Sequence, residues 1–366
     1  MKKIVILNYG LHISGVSRAL INLANSLVQH NYDVTIKLAK NDFTLADELD
    51  GRVKTSVLIS GIGKGRIYGK LMQFIEKLPV KLQWFFTVGY NYDVEIAFNR
   101  GLAAKLISAS CNKKSKKLVW VHNDYMLSSN ALAGFNDEKD AFMGYSKFNH
   151  VICVSEQSRV SFCKRFGDPG NLVVCYNVLD VEAINKKANE EEIPKTNFTI
   201  VSVGRLSEQK NYPLLIDTAD ELNKRGLHPV FWIVGDGELR KELLDYKEKK
   251  RADNVIFVGA QKNPYPYYNS ADLYLSTSTY EGLSTTTIEA LILNKPIVVT
   301  DCTGMKDILG DSTWGVIAPI DCVKIADAIE KMMTDEKCRL HYIKQSTIRG
   351  KDFSTEKLFK GIEFYL

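Results

Sequence analysis

The sequence predicts an α/β protein built from two doubly wound domains, and three observations carry that prediction. The first is length: 366 residues exceed a usual single domain and suit two. The second is the opening segment, where a short apolar run at 4–7 leads through a loop at 8–17 to an amphipathic pattern at 18–29 and a next strand at 33–38. That is a β-loop-α-β unit. The third is that the same pattern restarts at 198–203 and continues through 273–299 as strand, loop, helix and strand.

Composition agrees with a globular chain: 45% hydrophobic and 25% charged residues. No apolar run approaches the roughly 20 residues that span a bilayer. The run after Met1-Lys2-Lys3 is too short for a signal-peptide core. A cytoplasmic location is therefore expected, with possible attachment at the inner face of the plasma membrane. Seven cysteines without a Cys-x-x-Cys argue against a disulfide framework and a zinc cluster. A net charge of +5 suits anionic ligands and does not demand nucleic acid, so none is expected as a partner.

Along the first domain, strands are expected at 4–7, 33–38, 94–97, 118–121, 150–154 and 172–176. Gly10 and Gly15 lie in the first loop, but Gly-x-Gly-x-x-Gly is absent, which removes the best signal for a nicotinamide dehydrogenase. His122 follows the strand at 118–121, at the end where open α/β sheets bind ligands. The alternative is a hydrogen-bonded loop histidine. Residues 61–90 interleave Lys64, Arg66, Lys70, Lys77 and Lys81 with Tyr68, Phe74, Trp84, Phe85, Phe86 and several aliphatic residues. Such a basic, aromatic segment suits a membrane surface. The alternative, slightly favoured, is a helix packed on the sheet with its lysines solvated. Residues 180–197, charged and containing Pro194, read as the connector.

The second domain begins at 198–203 and runs into Gly204-Arg205-Leu206, with Lys210 and Asn211 close behind. Helices are expected at 213–225, 264–270, 285–293 and 325–333, and strands at 230–234, 255–258, 273–275, 296–299 and 315–318. A last amphipathic helix is expected at 354–366. The loop Glu281-Gly282-Leu283-Ser284-Thr285-Thr286 ends at a helix start. A helix N-terminus with its unpaired N–H groups seats phosphate. Gly282 admits a ligand near the backbone, and Ser284, Thr285 and Thr286 can cap the helix or bond phosphate oxygens. Arg205 and Lys210 can reach a diphosphate, or can be surface charges in salt bridges. Glu281 and Glu289 suit sugar hydroxyls better than phosphate. The plainer alternative is a capped helix with one solvated and one capping glutamate.

Taken together, these segments resemble the family-4 retaining glycosyltransferases, as found in bacterial capsular and surface polysaccharide synthesis. The matching segments are 203–211, Ile233-Val234-Gly235-Asp236-Gly237, Ser270-Ala271-Asp272, the Glu281 to Glu289 pair and 296–300. The resemblance implies the GT-B fold, two facing Rossmann-like domains with a cleft between them. It implies an acceptor domain at 1–180 with a returning helix at 350–366, and a nucleotide-sugar domain at 195–349. It implies a hexosyltransferase using a nucleoside-diphosphate sugar, with UDP the expected nucleotide, and a lipid-linked or other surface-glycan acceptor. Transfer to a small soluble acceptor and a catalytically silent sugar-nucleotide-binding subunit are the alternatives.

By the same resemblance, Arg205 and Lys210 hold the donor diphosphate, Glu289 the ribose and Glu281 the transferred sugar. Gly15, Gly204, Gly235, Gly282, Leu283, Ser284 and Thr285 lie along the donor, and His122 at the reacting sugar. The first loop departs from the family's Gly-Gly-x-Glu with Ser14-Gly15-Val16-Ser17, and Leu283-Ser284 replaces Phe-Pro or Phe-Gly. No Asp-x-Asp pair is present to hold a metal on the diphosphate. No cofactor or metal is therefore expected.

Overall fold

The computed structural model describes residues 1–58, 73–75, 77–127 and 131–366. The chain divides into two compact units, 1–179 with 358–366 and 180–357.

The first unit contains a parallel sheet of β1 (Lys3–Asn8), β2 (Asp33–Leu38), β3 (Lys54–Val57), β4 (Val94–Ala97), β5 (Lys116–Val121), β6 (His150–Cys153) and β7 (Leu172–Val174). Their order is β3-β2-β1-β4-β5-β6-β7. Strand order reverses between β1 and β4, which pair in register from Ile4 opposite Val94 to Leu7 opposite Ala97. Its helices are α1 (Gly15–Gln29), α2 (Val80–Thr87), α3 (Leu102–Ser108), α4 (Glu138–Tyr145) and α5 (Glu156–Phe166). β4 is buried on both faces, as strands of covered parallel sheets are. Helix α1 begins three residues before the expected start. Ser14 adopts an extended conformation and its hydroxyl accepts the Ser17 N–H at 3.2 Å, so the N-cap moves the start to Gly15. Ser155 does the same for α5, accepting from the Ser158 N–H at 3.0 Å.

The basic segment lies partly outside the described residues: Lys64, Arg66, Lys70, Tyr68 and Leu71 fall there. In the part described, α2 buries Trp84, whose indole N–H donates to Glu95 Oε2 at 2.9 Å. Leu82, Phe85 and Phe86 are exposed, as is Phe74. Packing on the first unit's core therefore accounts for Trp84 and leaves Phe74, Leu82, Phe85 and Phe86 exposed.

The second unit repeats the plan with β8 (Thr199–Val203), β9 (Val230–Val234), β10 (Val255–Gly259), β11 (Leu273–Ser276), β12 (Ile297–Thr300) and β13 (Val316–Ala318). The parallel order β10-β9-β8-β11-β12-β13 reverses between β8 and β11. Around it lie α6 (Val181–Ala188), α7 (Tyr212–Lys224), α8 (Arg240–Lys250), α9 (Tyr265–Ser270), α10 (Thr285–Ile292), α11 (Met305–Leu309), α12 (Cys322–Thr334) and α13 (Glu336–Gly350). Its core packs Leu215, Ile216 and Leu222 of α7 with Ile325 and Ile329 of α12 and with Ile200, Leu275 and Val298 of the sheet.

Two expectations change here. Residues 181–188 are not connector but α6, capped by Asp180 and belonging to the second unit. Asn263, next to α9, donates to Lys187 O at 2.9 Å and fastens this helix in place. The segment 350–357 also belongs to the second unit, where Arg349 donates to the carbonyls of Ile308 and Asp307 at 2.9 and 2.8 Å. The last helix, α14 (Thr355–Glu363), then carries the chain into the first unit. There Phe359 stacks on His30 at 4.0 Å and Glu363 accepts from the Tyr32 hydroxyl at 3.2 Å. Among the described residues no helix is long and apolar enough to cross a membrane.

Candidate active site

In the second unit the reversal point places the loops after β8 and β11 side by side. Ligands of open α/β sheets bind at such points, beyond the strands' carboxyl ends. The loop after β8 contains Gly204, Arg205 and Lys210; the loop after β11 contains Glu281, Gly282, Leu283 and Ser284. Thr279 N–H donates to Gln209 O at 2.9 Å and the Thr277 hydroxyl to Lys210 O at 2.9 Å, so the backbones are joined as well as adjacent.

The Lys210 ammonium and Glu281 Oε1 stand 2.6 Å apart, with side chains only 17% and 8% exposed. Burial opposes the charge on Lys210, but the Glu281 carboxylate, with smaller effects of Tyr274 and Tyr212, outweighs it and raises the ammonium pKa above its ordinary value. Lys210 therefore remains a cation. Glu281 also accepts from the Ser278 hydroxyl at 2.8 Å and the Gln209 amide at 3.3 Å, while its own N–H donates to Thr303 Oγ1 at 3.1 Å. Gly204 makes room for this arrangement, since a Cβ there would meet Lys210 Cε at 2.9 Å.

Arg205 differs. Its side chain is 72% exposed and its Nε donates to Glu238 at 3.0 Å. The loop after β9 is held beside it: Leu206 N–H donates to Asp236 O and Leu239 N–H to Leu206 O, both at 3.1 Å. Gly235 has φ +151°, and a Cβ there would overlap the Gly204 carbonyl, so only glycine permits this approach.

Helix α10 begins after Ser284, but the Ser284 hydroxyl caps none of its amides. It instead accepts from the Thr287 hydroxyl at 2.9 Å and lies 3.2 Å from Thr286 Oγ1. The expected capping role is not taken up by this residue. Thr285 is half-buried at the first position of the helix, and Leu283 is buried at 8% exposure. Glu289 is buried too, so neither glutamate of the pair is the solvated one that the plainer reading required. Its oxygens accept from the Tyr265 hydroxyl at 3.2 Å and the Tyr268 hydroxyl at 3.3 Å.

In the first unit His122 follows β5 and is buried. Its Nε2 lies 2.9 Å from the Phe98 carbonyl, an acceptor, so Nε2 carries the proton and Nδ1 presents a lone pair. Burial, with a smaller effect of Arg100, lowers the His122 pKa to about 4, and the ring is neutral at pH 7. Gly15 is exposed at the first turn of α1. Ser278, Gln209, Thr303, Glu238, Tyr265 and Tyr268 escaped sequence reasoning. Only Gln209, beside Lys210, and the tyrosines, three apart before the 270–272 segment, carried any signal.

The Glycosyltransferase Family 4 model matches residues 13–183 and the Glycosyl transferases group 1 model matches 183–349. A Campylobacter jejuni N-acetylgalactosamine-N,N'-diacetylbacillosaminyl-diphospho-undecaprenol 4-alpha-N-acetylgalactosaminyltransferase is 28% identical over 304 residues, covering 81% of this chain and 79% of its own. The amylovoran biosynthesis glycosyltransferase AmsD of Erwinia amylovora is 25% identical over 368 residues, 98% of each chain. Among solved structures, Anabaena HepE in complex with UDP and glucose superposes with a TM-score of 0.79 at 20% identity, covering 100% of this chain and 99% of that one. Sucrose-phosphate synthase from Thermosynechococcus elongatus also reaches 0.79, at 18% identity and 100% and 98% coverage. At such identities the likeness establishes fold alone, and that fold is GT-B. The two models adjoin at residue 183 and together account for residues 13–349, so the chain belongs to the family 4 and group 1 glycosyltransferases and is a transferase enzyme.

Proposed function

We propose that this enzyme is a retaining glycosyltransferase that moves a sugar from a UDP-sugar to a hydroxyl of a lipid-linked or other cell-surface glycan precursor. The observation that carries the reading is the buried Lys210–Glu281 pair, 2.6 Å apart, beside the first turn of α10. A buried ion pair is a poor device for stability, since its desolvation offsets its attraction. It suits a donor that brings a diphosphate for the cation and hydroxyls for the carboxylate.

In this reading the second unit holds the donor. Lys210 and Arg205 neutralise the diphosphate as it leaves, and the amides around Ser284 and Thr285 add neutral donors. No metal is required for that step. Glu281, kept in place by Lys210, Ser278 and Gln209, accepts from hydroxyls of the transferred sugar. Glu289 accepts from the ribose. The first unit receives the acceptor, and the neutral His122 serves at the reacting sugar. The centre becomes oxocarbenium-like as UDP departs, and the acceptor hydroxyl enters from the same face. Electrostatic stabilisation and positioning supply the rate.

What supports the acceptor class is the relatives: the Campylobacter enzyme is named for a diphospho-undecaprenol acceptor, and AmsD for amylovoran biosynthesis. What supports UDP is the ligand of HepE. Such an acceptor would be met at the inner face of the membrane, where the exposed Phe74, Leu82, Phe85 and Phe86 and the cations of 64–86 would rest. A thermal-shift panel of UDP-, ADP- and GDP-sugars tests the donor, because a ligand of the folded state raises its stability. UDP-sugars are expected to raise Tm and the others to leave it unchanged. A shift with ADP- or GDP-sugars and none with UDP-sugars would reject the assignment.

A further inference from the structure

We infer that Tyr265 and Tyr268 are positioning residues for Glu289, and that they sharpen the site's preference for a ribonucleotide over its 2′-deoxy counterpart. This rests on the reading of Glu289 as the ribose contact. Both tyrosines stand on α9, three residues apart and hence on one face of its single turn. Tyr265 donates to Glu289 Oε1 at 3.2 Å, and Tyr268 lies 3.3 Å from Oε2 and 3.2 Å from the Thr286 carbonyl. One phenol on each oxygen fixes the rotation of the carboxylate as well as its place.

The donors are themselves held. Tyr268 is fully buried and stacks on Tyr274 with ring centroids 5.6 Å apart. Tyr274 donates to Thr286 Oγ1 at 2.9 Å, in the first turn of α10. The Tyr265 N–H donates to Asn263 Oδ1 at 3.2 Å, and Asn263 is fastened to α6 through Lys187 O. Burial, and next the Glu289 charge, raises the Tyr268 pKa well above 10, so its hydroxyl stays a donor. Without these phenols the carboxylate must be ordered at the moment of binding, and that cost falls on the bond to the ribose hydroxyl.

Calorimetric titration of UDP and 2′-deoxy-UDP reads the effect in the wild type, Tyr265→Phe, Tyr268→Phe, the double variant and Glu289→Gln. The wild type is expected to favour UDP by about tenfold or more, as hydrogen bonds to charged groups do. Each Phe variant is expected to lower that ratio severalfold and the double variant to bring it near that of Glu289→Gln, while affinity for 2′-deoxy-UDP changes by about twofold at most. A merely structural role would weaken both nucleotides alike. If Glu289→Gln lowers the ratio and the Phe variants do not, the inference is overturned and the reading of Glu289 stands. If Glu289→Gln leaves the ratio unchanged, the ribose reading itself fails. Tyr265→Phe carries the comparison alone should Tyr268→Phe, which also loses a polar contact with the Thr286 carbonyl, fail to fold.

Discussion

Arg205 and Lys210 are both cations of one loop, yet their surroundings give them different weights. Lys210 neutralises a buried carboxylate; Arg205 meets Glu238 in solvent, where ion pairs contribute about 0–1 kcal/mol. Lys210→Ala leaves Glu281 buried and unpaired, a loss of about 3–5 kcal/mol in stability. Arg205→Ala leaves Tm nearly unchanged. Each should lower kcat/KM by about 2–4 kcal/mol of transition-state stabilisation, on the scale of a lost oxyanion donor. Steady-state kinetics beside thermal melts separate the effects, and near-normal turnover of both variants at saturating donor would reject the diphosphate assignment. His122 supplies a prediction in pH. Its pKa is about 4 in the fold against 6.5 ordinarily, so below pH 6.5 the unfolded chain takes up a proton that the folded one refuses. Stability should fall between pH 6.5 and 4 by at most about 3 kcal/mol from this group. Urea unfolding at pH 7 and 4.5 should show a smaller loss in His122→Gln, and equal losses would contradict the burial argument. The residue types at these positions are legible in the sequence alone. Their partners are not, because Gln209 reaches Glu281 from another loop and the two tyrosines reach Glu289 from another helix, contacts made only once those elements are adjacent.

At the scale of elements, α2 buries Trp84 and Thr87 and presents other residues outward. Trp84 is buried and bound to Glu95, which also accepts from the Ser115 and Ser110 hydroxyls at 2.7 and 3.0 Å. Burial raises the Glu95 pKa, and these donors act against that shift. The outward face carries Leu82, Phe85, Phe86 and Lys81. Basic residues near an anionic bilayer contribute about 1 kcal/mol each and act within a Debye length. Liposome sedimentation should therefore rise with anionic lipid, fall with salt, and weaken when Lys64, Arg66, Lys70, Lys77 and Lys81 are changed to glutamine. Equal sedimentation with neutral and anionic liposomes, or none with either, would end the membrane reading. Strands 33–38, 94–97 and 230–234 coincide with their sequence expectations because short β-branched or alternating stretches bounded by turns leave little choice. Helix α13 carries no comparable signal, because it is polar along most of its length and buries little more than Ser346. Helix α6 has an apolar face with Ile184 and Ala188 buried, but it is short and sits in a charged stretch ahead of Pro194, which favours the connector reading.

At the scale of the molecule, two units repeat one strand order, and the second carries Glu281 and Glu289 with Lys210 and Arg205. No Asp-x-Asp pair occurs in either half, so transfer should survive EDTA. Complete loss on chelation, restored by Mg²⁺ or Mn²⁺, would overturn the cation-only account. The sequence by itself determined the class of fold, the two-part organisation and the loops that hold the chemistry. Alternating apolar runs and helical periods are local properties, and glycine, cation and carboxylate spacing survives in one dimension. Only the tertiary structure decided that 180–188 is a packed helix of the second unit and that the chain returns to the first from residue 358. It also decided that Glu281 pairs with Lys210 across 71 residues of chain and that Glu289 lies between two phenols. Those are choices among partners, and a partner is chosen by which groups burial leaves within hydrogen-bonding distance.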